Sequence, residues 1–137
     1  MQVSQLMSTN VQVAGPDDTL RRVARAMAEL GAGVLPVCEA ERLIGMVTDR
    51  DLVVRGLGVG LDPDAARVRD VMSAQVHFCY EDDDVEEVVQ SMAEWQIRRL
   101  PVLNLDKKLV GIVSLGDIAQ DAAPVHSGST LRDISAG

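Results

Sequence analysis

Two stretches of the chain carry apolar side chains at the spacing of an amphipathic helix. The first stretch contains Leu20, Val23, Met27 and Leu30. The second contains Val85, Val88, Val89, Met92 and Ala93. Residues three and four positions apart share one face of an α-helix, so both stretches predict a helix with one buried face. Asp84, with Glu87 three residues later, predicts a capping box at the start of the second helix.

Short apolar segments of strand length surround each predicted helix. One segment precedes each helix, at residues 11–14 and 76–80. Two follow the first helix, at residues 34–37 and 43–47, and two follow the second, at residues 99–103 and 109–113. The polar residues inside each of these pairs predict hairpin turns. A further helix is expected to begin near Asp51 and near Asp117, so each half of the chain predicts the order β-α-β-β-α.

The two halves repeat in sequence as well as in pattern. At an offset of 65 residues, 13 of the 35 positions from 3 to 37 are identical. After one additional residue in the loop at 106–108 the offset becomes 66, and Gly45 then matches Gly111 while Asp51 matches Asp117. A repeat of this length indicates one structural unit present in two copies.

The size of the repeated unit predicts how the copies associate. A β-α-β-β-α unit of about 60 residues is too small to cover the face of its own sheet. We therefore expect the two copies to pack sheet to sheet as one intertwined, pseudo-symmetric module of mixed α/β (α+β) class. The repeat predicts a first domain at residues 1–60, a connector at 61–67, a second domain at 68–121 and a C-terminal tail at 122–137.

Composition and charge narrow the range of partners. The formal net charge of −8 disfavours binding to nucleic acids and to anionic membranes, because both are polyanions. One Trp, one Tyr and one Phe offer few side chains for stacking on nucleobases. No apolar run approaches the roughly 20 residues needed to span a bilayer, and residues 1–4 lack the features of a signal peptide. A cytoplasmic location is therefore expected.

The sequence contains no recognisable catalytic or metal-binding motif. Cys38 and Cys79 lie in apolar segments without His or Cys at ligand spacing, and we interpret them as buried free thiols, with a redox pair as the alternative. The acidic run at 81–84 lacks the alternating ligands and central glycine of a calcium loop. His77 and His126 have no partners at metal-ligand spacing. We therefore predict that the chain is not an enzyme and that it has no metal site.

The repeated motifs resemble those of CBS domains. Each copy has a leading hydrophobic-Met pair, a Leu-Pro-Val strand and a Gly-hydrophobic-hydrophobic-Thr/Ser-x-x-Asp segment. That last segment runs from Gly45 to Asp51 in the first copy and from Gly111 to Asp117 in the second. The resemblance covers residues 2–121 and implies a tandem CBS pair, or Bateman module, similar to stand-alone bacterial two-CBS-domain proteins of the hypoxic-response type.

Two symmetry-related clefts follow from such a pair, and the repeated polar residues predict their chemistry. The carboxylates of Asp51 and Asp117 only accept hydrogen bonds, which suits the two hydroxyl groups of a ribose. The hydroxyl groups of Thr48 and Ser114, near the start of a helix, suit a phosphate group. The alternative is that both carboxylates only cap helices. Recurrence of the pattern in both copies favours contact with a ligand.

Similarity to the gamma subunit of AMP-activated protein kinase implies that each cleft combines residues of both copies. One cleft would contain Ser114, Asp117, Arg99, Asn10, Gln12, Gly33 and Val34. The other would contain Thr48, Asp51, Gln75, His77 and Arg98. The resemblance also implies that the arginines contact the phosphate groups of the ligand. The alternative is that they pair with acidic side chains of the chain, for instance Arg98 with Glu94.

The two clefts are not expected to be equivalent. If only one binds ligand, we favour the cleft of Ser114 and Asp117, because the segment that contains them matches the family pattern more closely. In the first copy Asp49 and Arg50 stand between Thr48 and Asp51. An ion pair between Asp49 and Arg50 would crowd the pocket.

The resemblance implies a regulatory function. The expected ligand is AMP, ADP, ATP or another adenosyl compound such as NAD or S-adenosylmethionine, and no cofactor is required. Ligand in the clefts would shift the relative orientation of the copies and thereby modulate a separate effector protein. A homodimer is expected, since CBS pairs commonly associate through exposed helices. The alternative function is a ligand-independent dimeric interaction or stress-response scaffold, redox-responsive through Cys38 and Cys79.

Overall fold

The computed structural model describes residues 1–122, and the chain divides into two compact units. Unit 1 contains residues 1–11 together with the chain from residue 77 onward, and unit 2 contains residues 12–76. Each unit therefore combines most of one copy of the repeat with the leading segment of the other copy. The mixed helix and sheet class expected from the sequence is confirmed.

Unit 2 consists of one helix, one hairpin and a second helical segment. Helix α1 (Leu20–Leu30) precedes strands β1 (Val34–Glu39) and β2 (Arg42–Thr48), which pair antiparallel. The chain then continues into a π-helical segment (Asp51–Gly56) and a 3-10 turn (Leu57–Val59). The hairpin thus delivers the end of β2 directly to the start of a helix.

The predicted apolar stripe of α1 faces the core of unit 2. Leu20, Val23 and Met27 are buried, whereas Leu30, at the C-terminal end, is 47% exposed. Thr19 caps the helix, since its side-chain oxygen accepts a hydrogen bond from the Arg22 backbone N–H at 3.2 Å. The stripe and its cap together explain why the helix begins where it does.

Unit 1 contains a three-stranded sheet and two helices. Strand β3 (Cys79–Tyr80) leads through a turn to helix α2 (Val85–Trp95), followed by strands β4 (Arg99–Leu103) and β5 (Leu109–Ser114) and helix α3 (Leu115–Ala122). The sheet order is β3-β4-β5, with β3 parallel to β4 and β4 antiparallel to β5. Of the predicted stripe of α2, Val85, Val88 and Met92 are buried, whereas Val89 is half-buried and Ala93 is exposed.

The strand predicted before each helix is shorter than expected. In unit 2 the segment at 11–14 contributes a single parallel bridge between Ala14 and Val37. In unit 1 only Cys79 and Tyr80 of the segment at 76–80 pair with β4. The apolar pattern was misleading because Val13 is 48% exposed rather than packed in the core.

The capping box predicted for α2 is wrong. Asp84 is the N-cap residue and has extended backbone angles, but its side chain makes no capping hydrogen bond. One of its carboxylate oxygens instead lies 3.6 Å from the N-terminal ammonium group of Met1. The Asp84 carboxylate therefore pairs with the N-terminal ammonium group and does not cap α2.

One glycine on each hairpin admits the leading segment of the other copy. A Cβ atom on Gly45 would lie 2.7 Å from the carbonyl oxygen of Ser73, and a Cβ atom on Gly111 would lie 2.9 Å from that of Ser8. These approaches allow backbone pairing between Met46 and Ser73 in unit 2, and between Ser8 and Ile112 in unit 1. In each unit, therefore, the glycine of one copy lies against the Met-Ser motif of the other copy.

Two further expectations concern the C-terminal tail and membrane-spanning helices. Of the predicted tail at 122–137, residues 123–137 lie outside the described part of the chain, and so does His126. Between residues 1 and 122, no helix has the length and apolar character required to cross a bilayer.

Candidate functional site

The β4–β5 hairpin of unit 1 gathers four of the predicted site residues at one corner. Arg99 on β4 is the register partner of Ser114 on β5. The backbone N–H of Leu115, the first residue of α3, donates to the carbonyl oxygen of Arg98 at 2.8 Å. Asp117 lies in the first turn of the same helix. The ladder and the helix start therefore bring Arg99, Ser114 and Asp117 together, and Arg98, which the resemblance assigned to the other cleft, lies beside them.

Asp117 contributes its backbone N–H, but not its carboxylate, to the hydrogen bonds at the start of α3. Its backbone N–H donates to the Ser114 hydroxyl oxygen at 3.0 Å, so Ser114 caps α3. Within residues 1–122 the carboxylate oxygens themselves have no hydrogen-bond or ion-pair partner, although the residue is half-buried. The Ser114 hydroxyl accepts one bond and keeps its own hydrogen to donate.

The two arginines of this corner are exposed and lack acidic partners. Arg98 and Arg99 are each absent from the ion pairs of the described residues. The alternative pairing of Arg98 with Glu94 does not form. In a chain with 21 acidic and 13 basic side chains, two adjacent arginines without carboxylate partners mark a local positive site.

The equivalent corner of unit 2 satisfies its own polar groups. The Thr48 backbone N–H donates to Asp51 Oδ2 at 2.9 Å, and the Asp51 backbone N–H donates to Thr48 Oγ1 at 3.0 Å. This reciprocal arrangement is a capping box. Arg55 lies 3.9 Å from Asp51 Oδ1, one helical turn further on. In the structure Asp51 therefore caps a helix, which is the alternative interpretation of this residue.

The corner of unit 2 also differs in charge from the equivalent corner of unit 1. In unit 2 the Asp49 N–H donates to the Gly33 carbonyl at 2.9 Å, the contact that Leu115 and Arg98 make in unit 1. A Cβ atom on Gly33 would lie 3.0 Å from Asp49 Oδ2, so the carboxylate lies directly over the glycine. The predicted ion pair between Asp49 and Arg50 does not form, because the Asp49 carboxylate accepts the Arg50 backbone N–H at 2.8 Å.

The remaining predicted residues are distributed over both units. Asn10 and His77 belong to unit 1, whereas Gln12, Gly33, Val34 and Gln75 belong to unit 2. His77 stacks on the indole of Trp95, with ring centroids 4.1 Å apart and planes inclined by 17°. Their roles in a ligand site stay predictions.

Sequence reasoning missed two residues that contact predicted site residues. Arg55 follows Asp51 at the i, i+4 spacing typical of helical ion pairs, and this spacing was a usable signal. Trp95 gave no comparable signal, since its contact with His77 joins the end of α2 to a segment 18 positions earlier in the chain, before β3.

Both cysteines are free thiols; Cys79 is buried as expected from the sequence, whereas Cys38 is only partly buried. Burial raises the pKa of Cys38. Burial, with a smaller contribution from the Asp83 carboxylate, raises the pKa of Cys79 to about 12. Reactive cysteines have lowered pKa values, because the thiolate is the nucleophile. Neither thiol therefore has the electrostatic environment of a redox switch.

Comparison with known proteins places the chain in a family. The CBS domain family model matches residues 3–57 and 68–123. Hypoxic response protein 1 of Mycobacterium tuberculosis is 38% identical over 123 residues, which cover 89% of this chain and 85% of that protein. CBS domain-containing protein YhcV of Bacillus subtilis is 38% identical over 134 residues, covering 97% and 94%.

Solved structures give the same relationship. The crystal structure of Hypoxic Response Protein I with two coordinated zinc ions has a TM-score of 0.78 at 36% identity, covering 88% of this chain and 98% of that one. Among residues 1–122 of this chain, no group of three or more His, Cys, Asp and Glu side chains could hold a metal ion. CBSX2 in complex with AMP has a TM-score of 0.77 at 25% identity, covering 88% and 95%. With both copies of the repeat matched and these relatives aligned over most of their length, the chain belongs to the CBS domain family as a tandem pair of CBS domains.

Proposed function

We propose that this chain is a regulatory module that binds a phosphate-bearing adenosyl ligand at the corner formed by Arg98, Arg99, Ser114 and Asp117. The observation that carries the proposal is the half-buried Asp117 carboxylate, which has no partner among the described residues. A carboxylate that no protein group engages keeps its oxygens available to accept hydrogen bonds from a ligand. The two hydroxyl groups of a ribose are donors of the right kind.

The phosphate end of the ligand is assigned to the arginines and to Ser114. Arg98 and Arg99 are exposed, and each guanidinium offers the planar fork of donors that matches a phosphate. The Ser114 hydroxyl adds a donor at the start of α3. The AMP bound by CBSX2 supports an adenine nucleotide as the ligand class, and AMP, ADP, ATP, NAD and S-adenosylmethionine are the candidates to compare.

The first copy contributes a weaker site in this proposal. The Asp51 carboxylate already accepts the Thr48 N–H and faces Arg55, so a ribose would have to displace existing contacts. The Asp49 carboxylate over Gly33 would also repel a phosphate. We therefore expect the ligand to bind only at the second copy, or to bind there before it binds at the first copy.

Ligand binding would act on a separate protein. We propose that the chain has no catalytic role, that it works as a homodimer in the cytoplasm, and that its occupied state modulates an effector protein. The redox scaffold stays the alternative, but the raised pKa of both thiols argues against it.

The decisive experiment is a thermal-shift and calorimetric titration with the candidate nucleotides on the wild type, Asp117→Ala and Asp51→Ala. A ligand at about 100 times its Kd raises the stability by roughly 2.7 kcal/mol, which corresponds to a rise in Tm of several degrees. We expect this rise in the wild type and in Asp51→Ala, and its loss in Asp117→Ala. No response of the wild type to any candidate would contradict the proposal and favour the scaffold.

The phosphate assignment has its own control. The double substitution of Arg98 and Arg99 by Ala should weaken AMP binding about tenfold or more and leave adenosine binding unchanged. Equal losses for AMP and adenosine would show that the arginines do not contact a phosphate.

A further inference from the structure

Both units hold their leading segment by equivalent contacts. The first apolar residue of the segment, Val3 in unit 1 and Val68 in unit 2, is fully buried, and its backbone N–H donates to the turn before the helix at 2.9 Å. The acceptors are the carbonyl oxygens of Asp83 and Asp18, which correspond in the repeat. The surface of unit 1 that holds residues 1–8, here called the unit 1 groove, therefore accepts the same kind of segment as its counterpart in unit 2.

The C-terminal tail contains a third segment of this kind, at residues 131–134. Its sequence is Leu-Arg-Asp-Ile, and that of residues 68–71 is Val-Arg-Asp-Val. The first and fourth positions of residues 68–71 are both buried, and both are apolar in the tail. At the third position, Asp70 Oδ2 accepts the Arg67 backbone N–H at 2.9 Å, and Asp133 has the same place in the tail. The tail segment thus carries the residues by which unit 2 holds its own leading segment.

Unit 1 lacks one contact that unit 2 makes. Arg69, the second residue of the segment in unit 2, forms an ion pair with Asp17 Oδ1 at 2.8 Å. In unit 1 the counterpart of Asp17 is Asp82, and the counterpart of Arg69 is Ser4, which cannot form an ion pair. Asp82 is exposed and has no ion pair within the described part of the chain. The unit 1 groove is therefore suited to a segment with arginine at the second position, which Arg132 of the tail supplies.

The tail is long enough to reach the groove of its own unit. Ile112 on β5 pairs with Ser8 at one end of the groove, and α3 follows β5 directly. The rest of β5 and the eight residues of α3 separate Ile112 from Ala122 by at most roughly 20 Å. The eight residues from 123 to 130 are sufficient to span about 26 Å when extended. The third segment can therefore bind the groove of the same chain.

One position limits how tightly the tail segment can bind. A Cβ atom on Gly111 would lie 2.7 Å from Met7 Sδ, so the methionine fills the space beside this glycine. Ser135 has the place of Met7 in the tail and is too short to fill it. The tail segment gains an ion pair but loses this apolar contact. We therefore expect exchange between the two segments rather than permanent displacement of residues 1–8.

We propose that residues 131–134 bind the unit 1 groove when residues 1–8 leave it. The apolar residues of the tail segment would replace those of residues 1–8, and Arg132 would form with Asp82 the ion pair that Ser4 cannot form. The groove would then alternate between two segments of the same chain.

Hydrogen exchange of the full chain, followed by mass spectrometry, measures this competition at the backbone amides of residues 1–8. Leu131→Asp removes the first apolar contact of the tail segment, so nothing else fills the groove when residues 1–8 open. We expect these amides to exchange about threefold more slowly than in the wild type. Ser127→Asp is the matched control, because it adds the same charge to the tail outside the segment, and it should leave the rates unchanged.

Charge reversal tests the ion pair. Arg132→Asp and Asp82→Arg should each slow the exchange of residues 1–8 about threefold, and the double variant should return it to the wild-type rate, because the pair forms again with its signs reversed. Tenfold dilution of the wild type should change nothing, since the segment belongs to the same chain. Equal rates in the wild type and Leu131→Asp, no recovery in the double variant, or slower exchange of residues 1–8 on dilution would each overturn the proposal.

Discussion

Gly111→Ala tests the contact that joins the N-terminal segment to unit 1. The new Cβ atom would lie 2.7 Å from Met7 Sδ, 2.9 Å from the Ser8 carbonyl oxygen and 3.0 Å from Met7 Cγ. The thioether can rotate away at little cost because Met is flexible. The Ser8 carbonyl cannot, since it accepts the Ile112 N–H at 2.9 Å while the Ser8 N–H donates to the Ile112 carbonyl at 2.8 Å.

The magnitude follows from these two contacts. Overpacking of a buried site costs about 1–3 kcal/mol. Each backbone hydrogen bond that is lost as the segment withdraws costs about 1 kcal/mol more. We therefore expect Gly111→Ala to lower the free energy of unfolding by about 2–4 kcal/mol. For a chain of this length that corresponds to a fall in Tm of roughly 6–15 °C.

Urea unfolding followed by Trp95 fluorescence measures this loss, since Trp95 belongs to unit 1. Gly15→Ala is the matched control, because a Cβ atom there would meet its nearest neighbour at an ordinary 3.6 Å. We expect the control to change stability by less than about 0.5 kcal/mol. A similar small value for Gly111→Ala would refute the reasoning. So would full recovery on adding Met7→Ala, since the side chain rather than the Ser8 backbone would then be the obstacle.

Three other outcomes are expected. Without ligand, Asp51→Ala should lower the free energy of unfolding by about 1 kcal/mol through loss of the Thr48 N–H bond, whereas Asp117→Ala should change it by less than about 0.5 kcal/mol; chemical denaturation compares them. Because the Cys79 pKa is raised to about 12 in the folded state, the unfolded chain loses this proton first, so stability should fall from pH 9 towards pH 12, and Cys79→Ser should show a shallower fall in pH-dependent denaturation. Thr19→Ala should remove the cap of α1 at a cost of about 1 kcal/mol, and an unchanged urea midpoint would contradict that role.

The sequence predicted the elements that depend on local pattern. The stripes of α1 and α2 are buried at most of the positions their spacing predicted, apart from Leu30 and Ala93, which are exposed, and Val89, which is half-buried. The leading strands were overestimated, since an apolar residue such as Val13 forms a strand only where a partner is available to pair with it. The sequence predicted an intertwined pair but not which segments are exchanged, because a repeat reveals its copies but not which copy a segment packs against.

The sequence predicted the motif of the site but not which of its side chains are already hydrogen-bonded within the protein. Thr48-x-x-Asp51 and Ser114-x-x-Asp117 look equivalent in sequence, yet only the first forms the reciprocal capping box with an added arginine. The difference depends on side-chain orientation over an ångström or two, which residue identity does not determine.

The exchanged leading segments impose an order on synthesis at the ribosome. Unit 2 is contiguous, at residues 12–76, so it can close once that stretch has emerged, whereas unit 1 needs residues 1–11 to wait for β5. While they wait, Met7-Ser8 is the first copy of the motif available to the vacant groove at Gly45, which belongs to Met72-Ser73 in the finished protein. The nascent chain therefore exposes the Met-Ser segment of unit 1 before its own Met72-Ser73 segment reaches the groove at Gly45.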